Sequence, residues 1–230
     1  MERGVSINKR FIKERYAFLA SLLINIIFLV GIVLVIGVHF ELSDDWVISK
    51  NIANGSYDMI FCNYFLQVIT GLLQKLIYPY NAFVILQIAF GFLSLTTISY
   101  ILFDTFKFKK GIWFVLFIEC VFAVNAYSLI TFTKTAGLLM VAGGLLMLWA
   151  YHEKKHLGYS VFGMVLVLFG SFYRFQIFYS VLAVFGFFII ACILAKAKKG
   201  KFFSKILCIL LHNKVLYAQN KAEANTSKNF

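Results

Sequence analysis

Two adjacent carboxylates, Asp44 and Asp45, lie in the stretch Glu41-Leu42-Ser43-Asp44-Asp45-Trp46, directly after a long apolar run. Carboxylates just outside a membrane could accept a proton from an acceptor hydroxyl, or hold a divalent cation such as magnesium or manganese through oxygen ligands. The same residue types also start helices. Ser43 or Asp44 would cap a short surface helix, both acids would complement its dipole, and Asn54-Gly55 would end it. The two roles are compatible, because a capping position fixes the direction of a carboxylate.

Four cations stand apart from the basic loops: Lys50, Lys75, Lys134 and Arg174. Lys134 and Arg174 each mark a tight turn between apolar runs where a Ser, Thr or Asn would have served. A cation at such depth needs a partner, and a phosphate or one of Asp44 and Asp45 would supply it; snorkelling to headgroups is the plainer alternative. Glu119 is the one carboxylate inside an apolar run, where it would face a polar cavity or pair with Asn125 or a polar residue of another helix. His152-Glu153-Lys154-Lys155-His156 spells HExxH, which on a continuous helix could hold zinc through both histidines. Two lysines beside a dication, and a position in a short loop, argue against that use.

These groups are carried by an unusually apolar chain, 61% hydrophobic and 14% charged across 230 residues. Soluble domains are roughly 45–50% apolar and about 25% charged, so a soluble globule is excluded and the bilayer is the matching solvent. The net charge of +12 does not imply nucleic acid, because the cations lie between apolar runs and not on a soluble face. Cys62, Cys120, Cys192 and Cys208 form no CxxC pair and imply neither a disulfide framework nor a zinc cage.

Apolar runs at 17–40, 81–103, 111–130, 132–150, 157–173 and 175–195 predict an all-α, polytopic transmembrane helix bundle of about six spans. The third and fourth must fold back at Thr131-Phe132-Thr133-Lys134-Thr135, and the fifth and sixth at Arg174. Segment 57–78 is also apolar, but Asn63, Gln67, Thr70 and Gln74 form one polar stripe on a helix. If that helix lies in the outer interface, the basic leader 1–16, the loops at 104–110 and 151–156 and the segment 196–205 all face the cytoplasm, as the positive-inside rule requires. A spanning helix whose stripe faces the bundle interior is the alternative. The first arrangement places the protein in the cell membrane with both termini cytoplasmic and residues 41–80 as an external loop. The domains are then the leader 1–16, a membrane module 17–195, and a basic segment with a polar tail at 196–230.

A single span, an Asp-bearing external loop with interfacial helices, and then tightly paired spans resemble the amino-terminal module of the GT-C superfamily of polytopic glycosyltransferases. More narrowly, Ser43-Asp44-Asp45-Trp46 through Asn54-Gly55, with Phe132-Thr133-Lys134-Thr135-Ala136 and Gly170-Ser171-Phe172-Tyr173-Arg174-Phe175, look like bacterial GT-C-like proteins of surface-glycan synthesis. The resemblance covers roughly residues 10–195. It implies transfer of a sugar from a polyprenyl-phosphate carrier to an acceptor on the outer membrane face, by this module alone as a truncated, incomplete or inactive version. It makes Asp44 or Asp45 the catalytic carboxylate or metal ligand, and Lys134 and Arg174 the groups holding the lipid phosphate. Membrane lipids and a polyprenyl-phosphate-linked sugar are the implied partners. Two other classes remain open: a non-enzymatic transporter subunit or assembly partner of another membrane protein, in which Glu119 and the 63–74 stripe line a path or contact a helix, and an HExxH intramembrane metalloprotease.

Overall fold

The computed structural model describes residues 2–197 apart from positions 42, 57, 58, 60 and 107. Lys107, Lys198, Lys199, Lys201 and Lys205 of the basic segments lie outside the described residues, as does the tail. The described chain is all-helical but for one short bridge. It forms α1 (Glu2–Val35), β1 (His39–Phe40), α2 (Ser43–Ala53), α3 (Tyr64–Ile77), α4 (Ala82–Thr105), α5 (Phe108–Tyr127), β2 (Leu129–Ile130), α6 (Phe132–His152), α7 (Leu157–Tyr173) and α8 (Phe175–Ala197).

Among the described residues, four helices are long and apolar enough to cross a membrane: α1 from Glu14, α4, α5 and α6, at 22, 24, 20 and 21 residues. Each reaches about 30 Å or slightly more at about 1.5 Å per residue. With 17 residues α7 reaches about 25 Å, and α3, with 14, only about 21 Å. Helix α4 is the hub: α1, α5, α6, α2 and α3 all pack against it. Short corners join α4 to α5, α6 to α7 and α7 to α8, so consecutive helices of the bundle reverse direction. One end therefore gathers β1, β2, α2, α3 and the α7–α8 corner; the other gathers Glu14, the α4–α5 corner and the turn after α6.

Two apolar runs end earlier as helices than hydropathy predicts. The first stops at Val35 because Gly37 adopts φ +81, and His39–Phe40 leave in extended conformation. They pair in parallel with Leu129–Ile130, which the third run gives up for the same purpose, and the His39 N–H donates to Ser128 O at 2.8 Å. Hydrophobicity alone cannot separate these apolar strands from the helices they continue.

In α3 the polar stripe turns toward the protein. The Asn63 side chain caps the helix, Gln67 donates to the Met59 and Cys62 carbonyls, and Gln74 bonds both the Tyr80 carbonyl and the Ala82 N–H. The opposite face, with Tyr64, Phe65, Leu72 and Leu76, is apolar and exposed.

The closest helix pair is α6 with α7, where Gly143 and Gly163 meet backbone to backbone although no GxxxG pattern marks them. A Cβ built on Gly163 falls 2.7 Å from Gly143 O, a backbone atom that cannot turn aside. Gly163→Ala is therefore expected to destabilise by about 1–3 kcal/mol despite the better helix propensity of Ala. Gly31→Ala, where the space is empty, should hold or raise the melting temperature in detergent. Equal melting of the two variants would contradict this account of the α6–α7 contact.

Candidate functional site

Asp44 and Asp45 occupy the first turn of α2, as the capping pattern predicts. The helix closes at Asn54-Gly55, with the Gly55 N–H donating to Ile52 O and the Ser56 N–H to Asn51 O. Neighbouring helix positions point about 100° apart, so the two acids separate. Asp44 is exposed, whereas Asp45 is fully buried. Asp45 Oδ1 accepts the Phe132 N–H at 2.9 Å, so this acid caps α6 and not its own helix. Its Oδ2 accepts no hydrogen bond. Burial pushes the Asp45 carboxyl up from 3.8 to about 6; the Phe132 N–H and the Gln87 amide oppose the shift, and Asp44 and Glu41 add to it.

The start of α6 is fixed from both sides. Thr131 Oγ1 accepts the Lys134 N–H at 3.2 Å, and Thr135 Oγ1 bridges toward Gln87 Oε1 at 3.3 Å. Lys134 pairs with neither aspartate. Its ammonium pairs with Glu41 and donates to Asn125 Oδ1 at 2.8 Å, an arrangement created by the β1–β2 pairing that carries Glu41 past the end of α5. The partner for Lys134 is thus Glu41, the first acid of the 41–46 stretch.

Arg174 forms the α7–α8 corner with an extended backbone. One Nη1–H donates to Thr133 Oγ1 at 2.6 Å and Nε–H to Gln176 Oε1 at 3.2 Å, while the guanidinium lies 5.4 Å from the Phe132 ring centroid. Among the described residues, no carboxylate lies within ion-pair distance of it. Beside it opens a pocket of about 300 Å³ lined by Phe61, Cys62, Asn63, Ser171, Phe172 and Phe175. Burial, then Asp45, pushes the Cys62 thiol up to about 12 while Arg174 draws it down, so Cys62 is no thiolate nucleophile. Asp45 and Arg174 therefore both act on Cys62 and both touch Phe132, Asp45 at its N–H and Arg174 at its ring; Lys134 and Glu41 form a separate, neutralised pair.

The remaining sequence candidates are dispersed. Helix α6 ends at His152, Lys154 has φ +49, and His156 caps α7 by accepting the Gly158 N–H. The two histidines do not share a helical face, and the HExxH geometry is not formed. Glu119 accepts a bond from Ser99 Oγ, whereas Asn125 belongs to Lys134. Lys155, which the sequence places in the basic loop 151–156, is nearly buried at the opposite end: it pairs with Glu14 and with Asp104 at 3.1 Å, and lies 4.5 Å from the Trp149 ring. Nothing in the Lys154-Lys155 dipeptide distinguishes the buried lysine from the exposed one.

No protein-family model, no curated protein and no solved structure matches this chain.

The Asp45 shift has a sign. Between pH 3.8 and about 6 the folded chain keeps a proton that the unfolded chain has lost. Stability therefore falls as pH rises through that window, by on the order of 3 kcal/mol in total, and levels off above it. Asp45→Asn keeps an acceptor for the Phe132 N–H and removes the titration, so the decline in detergent melting temperature over this window should flatten. An unchanged slope would assign it to another group.

Proposed function

We propose that this chain is a multi-pass membrane protein that binds a polyprenyl-phosphate-linked sugar at the α2–α3 end, as a GT-C-like glycosyltransferase module of cell-surface glycan synthesis. The observation that carries the reading is Arg174. A half-buried guanidinium is held in place by Thr133, Gln176 and the Phe132 face, and keeps part of its donor fork without a protein acid. A phosphate ester matches that fork in charge and geometry. The neighbouring aromatic pocket offers stacking surface, with Asn63 and Ser171 as polar groups, for the attached sugar. Asp44 is the acid able to act on an acceptor hydroxyl or hold a divalent cation, since it is exposed; Asp45, committed to Phe132, orients the α6 start under Arg174.

In this reading α1, α4, α5, α6, α7 and α8 are six spans, and α3 lies in the outer interface with its apolar face toward lipid. Alternating helix directions support that topology. So does the gathering of Arg15, Lys109, Lys110 and Lys154 at the end opposite Asp45, which becomes the cytoplasmic end with both termini.

One observation favours a non-enzymatic assembly partner: of the two aspartates, one is consumed by the fold. Three variants separate the readings. Arg174→Gln should weaken binding of an isolated polyprenyl phosphate, read by native mass spectrometry in detergent, by about 10- to 100-fold. Lys134→Gln, whose ammonium is already neutralised by Glu41, should change it far less. Equal binding by wild type and Arg174→Gln would remove the phosphate site. If binding holds, Asp44→Asn should abolish sugar transfer with insertion intact; unchanged glycan would leave a carrier-binding partner protein and not an enzyme.

A further inference from the structure

Inside the bundle, one chain of buried polar groups can be assigned hydrogen by hydrogen. Asn25 of α1, Ser99 of α4 and Glu119 and Tyr127 of α5 are all fully buried. Asn25 Nδ2 lies 2.9 Å from the Ser21 carbonyl oxygen, which can only accept, so the orientation of the amide is fixed. Its second Nδ2 hydrogen goes to Ser99 Oγ at 3.3 Å. Asn25 Oδ1 can only accept, so the Tyr127 hydroxyl donates to it at 2.9 Å. Ser99 has a single hydroxyl hydrogen, and it goes to Glu119 Oε1 at 3.3 Å. Donation therefore runs from Tyr127 through Asn25 and Ser99 and ends on the Glu119 carboxyl.

Glu119 Oε2 receives no hydrogen bond, and among the described residues no cation lies within ion-pair distance of it. A carboxylate here would keep a full charge in the interior of a candidate span with only the neutral Ser99 hydroxyl and Asn25 amide beside it. The acid form removes the charge and keeps the Ser99 bond at Oε1. A metal ion fits worse, because Asn25 turns its N–H side toward Ser99 and Ser99 turns its hydrogen toward Glu119. We propose that Glu119 is a proton-binding site, carrying an exchangeable proton on Oε2 in the folded protein. The groups that meet it are Asn25 from α1, Ser99 from α4, and Tyr127 on its own helix, the one other titratable member. Loss of the proton would leave a bare charge in the seam where α1 meets α4 and α5, so proton occupancy and α1 docking are linked. This inference does not depend on the phosphate reading of Arg174.

The test uses the full chain in detergent near neutral pH. The infrared spectrum should show a carboxylic-acid C=O band that shifts in heavy water and is lost in Glu119→Gln. Ser99→Ala keeps the carboxyl, removes the bond at Oε1 and should move the same band, which assigns it even where the Gln variant cannot be purified. Dicyclohexylcarbodiimide gives a second readout. The acid proton moves to a carbodiimide nitrogen, a carboxyl oxygen bonds to the central carbon, and an acyl shift to nitrogen leaves an adduct in which every atom of both partners is retained. That mass should appear on the Glu119 peptide and decline as pH rises. A wild-type spectrum with no acid band distinct from Glu119→Gln, or a band unmoved in Ser99→Ala, overturns the proposal.

Discussion

A helix that begins among apolar groups has N–H donors with no water to receive them, and α6 begins in that way. Phe132, its first residue, is 1% exposed, and its N–H donates to Asp45 Oδ1. The contact is favourable for the helix, since an acid at the amino end complements the dipole, and costly for the acid, since Asp45 leaves water entirely. Its consequences spread across the α2–α3 end. It ties α2 to the bundle, where Ile48 and Ile52 pack with Met59, Leu66, Phe83 and Phe132. It also fixes the phase of α2, so Asp44 faces outward. And it holds the Phe132 ring where the Arg174 guanidinium and the Phe61 ring can both lie against it.

Helix order and most boundaries were legible because they follow from quantities local to the chain. Run length sets the helices, Thr131 and Arg174 are poor continuations, and the stripe at 63–74 follows helical spacing. Where local quantities tie, sequence reading stops. The parallel pairing of β1 with β2 joins apolar residues that hydropathy assigns to helices. The approach of α6 to α7 uses single glycines on each helix. The separation of Asp44 from Asp45 depends on the phase at which α2 packs, which no pattern of eleven residues specifies.

Polar partners across the bundle were the least legible. Asn25 meets Ser99 across 74 positions and Tyr127 across 102. Each of these residues taken alone is an ordinary interruption of an apolar run. Their grouping exists because α4 is the hub against which α1 and α5 both lie, so side-chain polar atoms buried in that seam meet one another. Charge behaved likewise at the opposite end, where Lys155, Asp104 and Glu14 come from three separate elements.

The two ends treat their partly buried cations differently, which favours a ligand at one of them. At the Lys155 end a nearly buried ammonium meets two carboxylates and an indole face, so the charge is met inside the protein. At the α2–α3 end Lys134 is met by Glu41. Arg174 is not, although Asp45 bonds the backbone of the residue whose ring Arg174 lies against. The fold spends that acid on a backbone N–H and holds the guanidinium with neutral oxygens and a ring face. Neutral partners orient a cation without cancelling its charge, and a rigid fork loses little freedom when it closes on an oxyanion. A lysine serving only to anchor a headgroup would need neither the orientation nor the ring. The arrangement at Arg174 suits an arriving phosphate because the protein has fixed its geometry and left its charge in place.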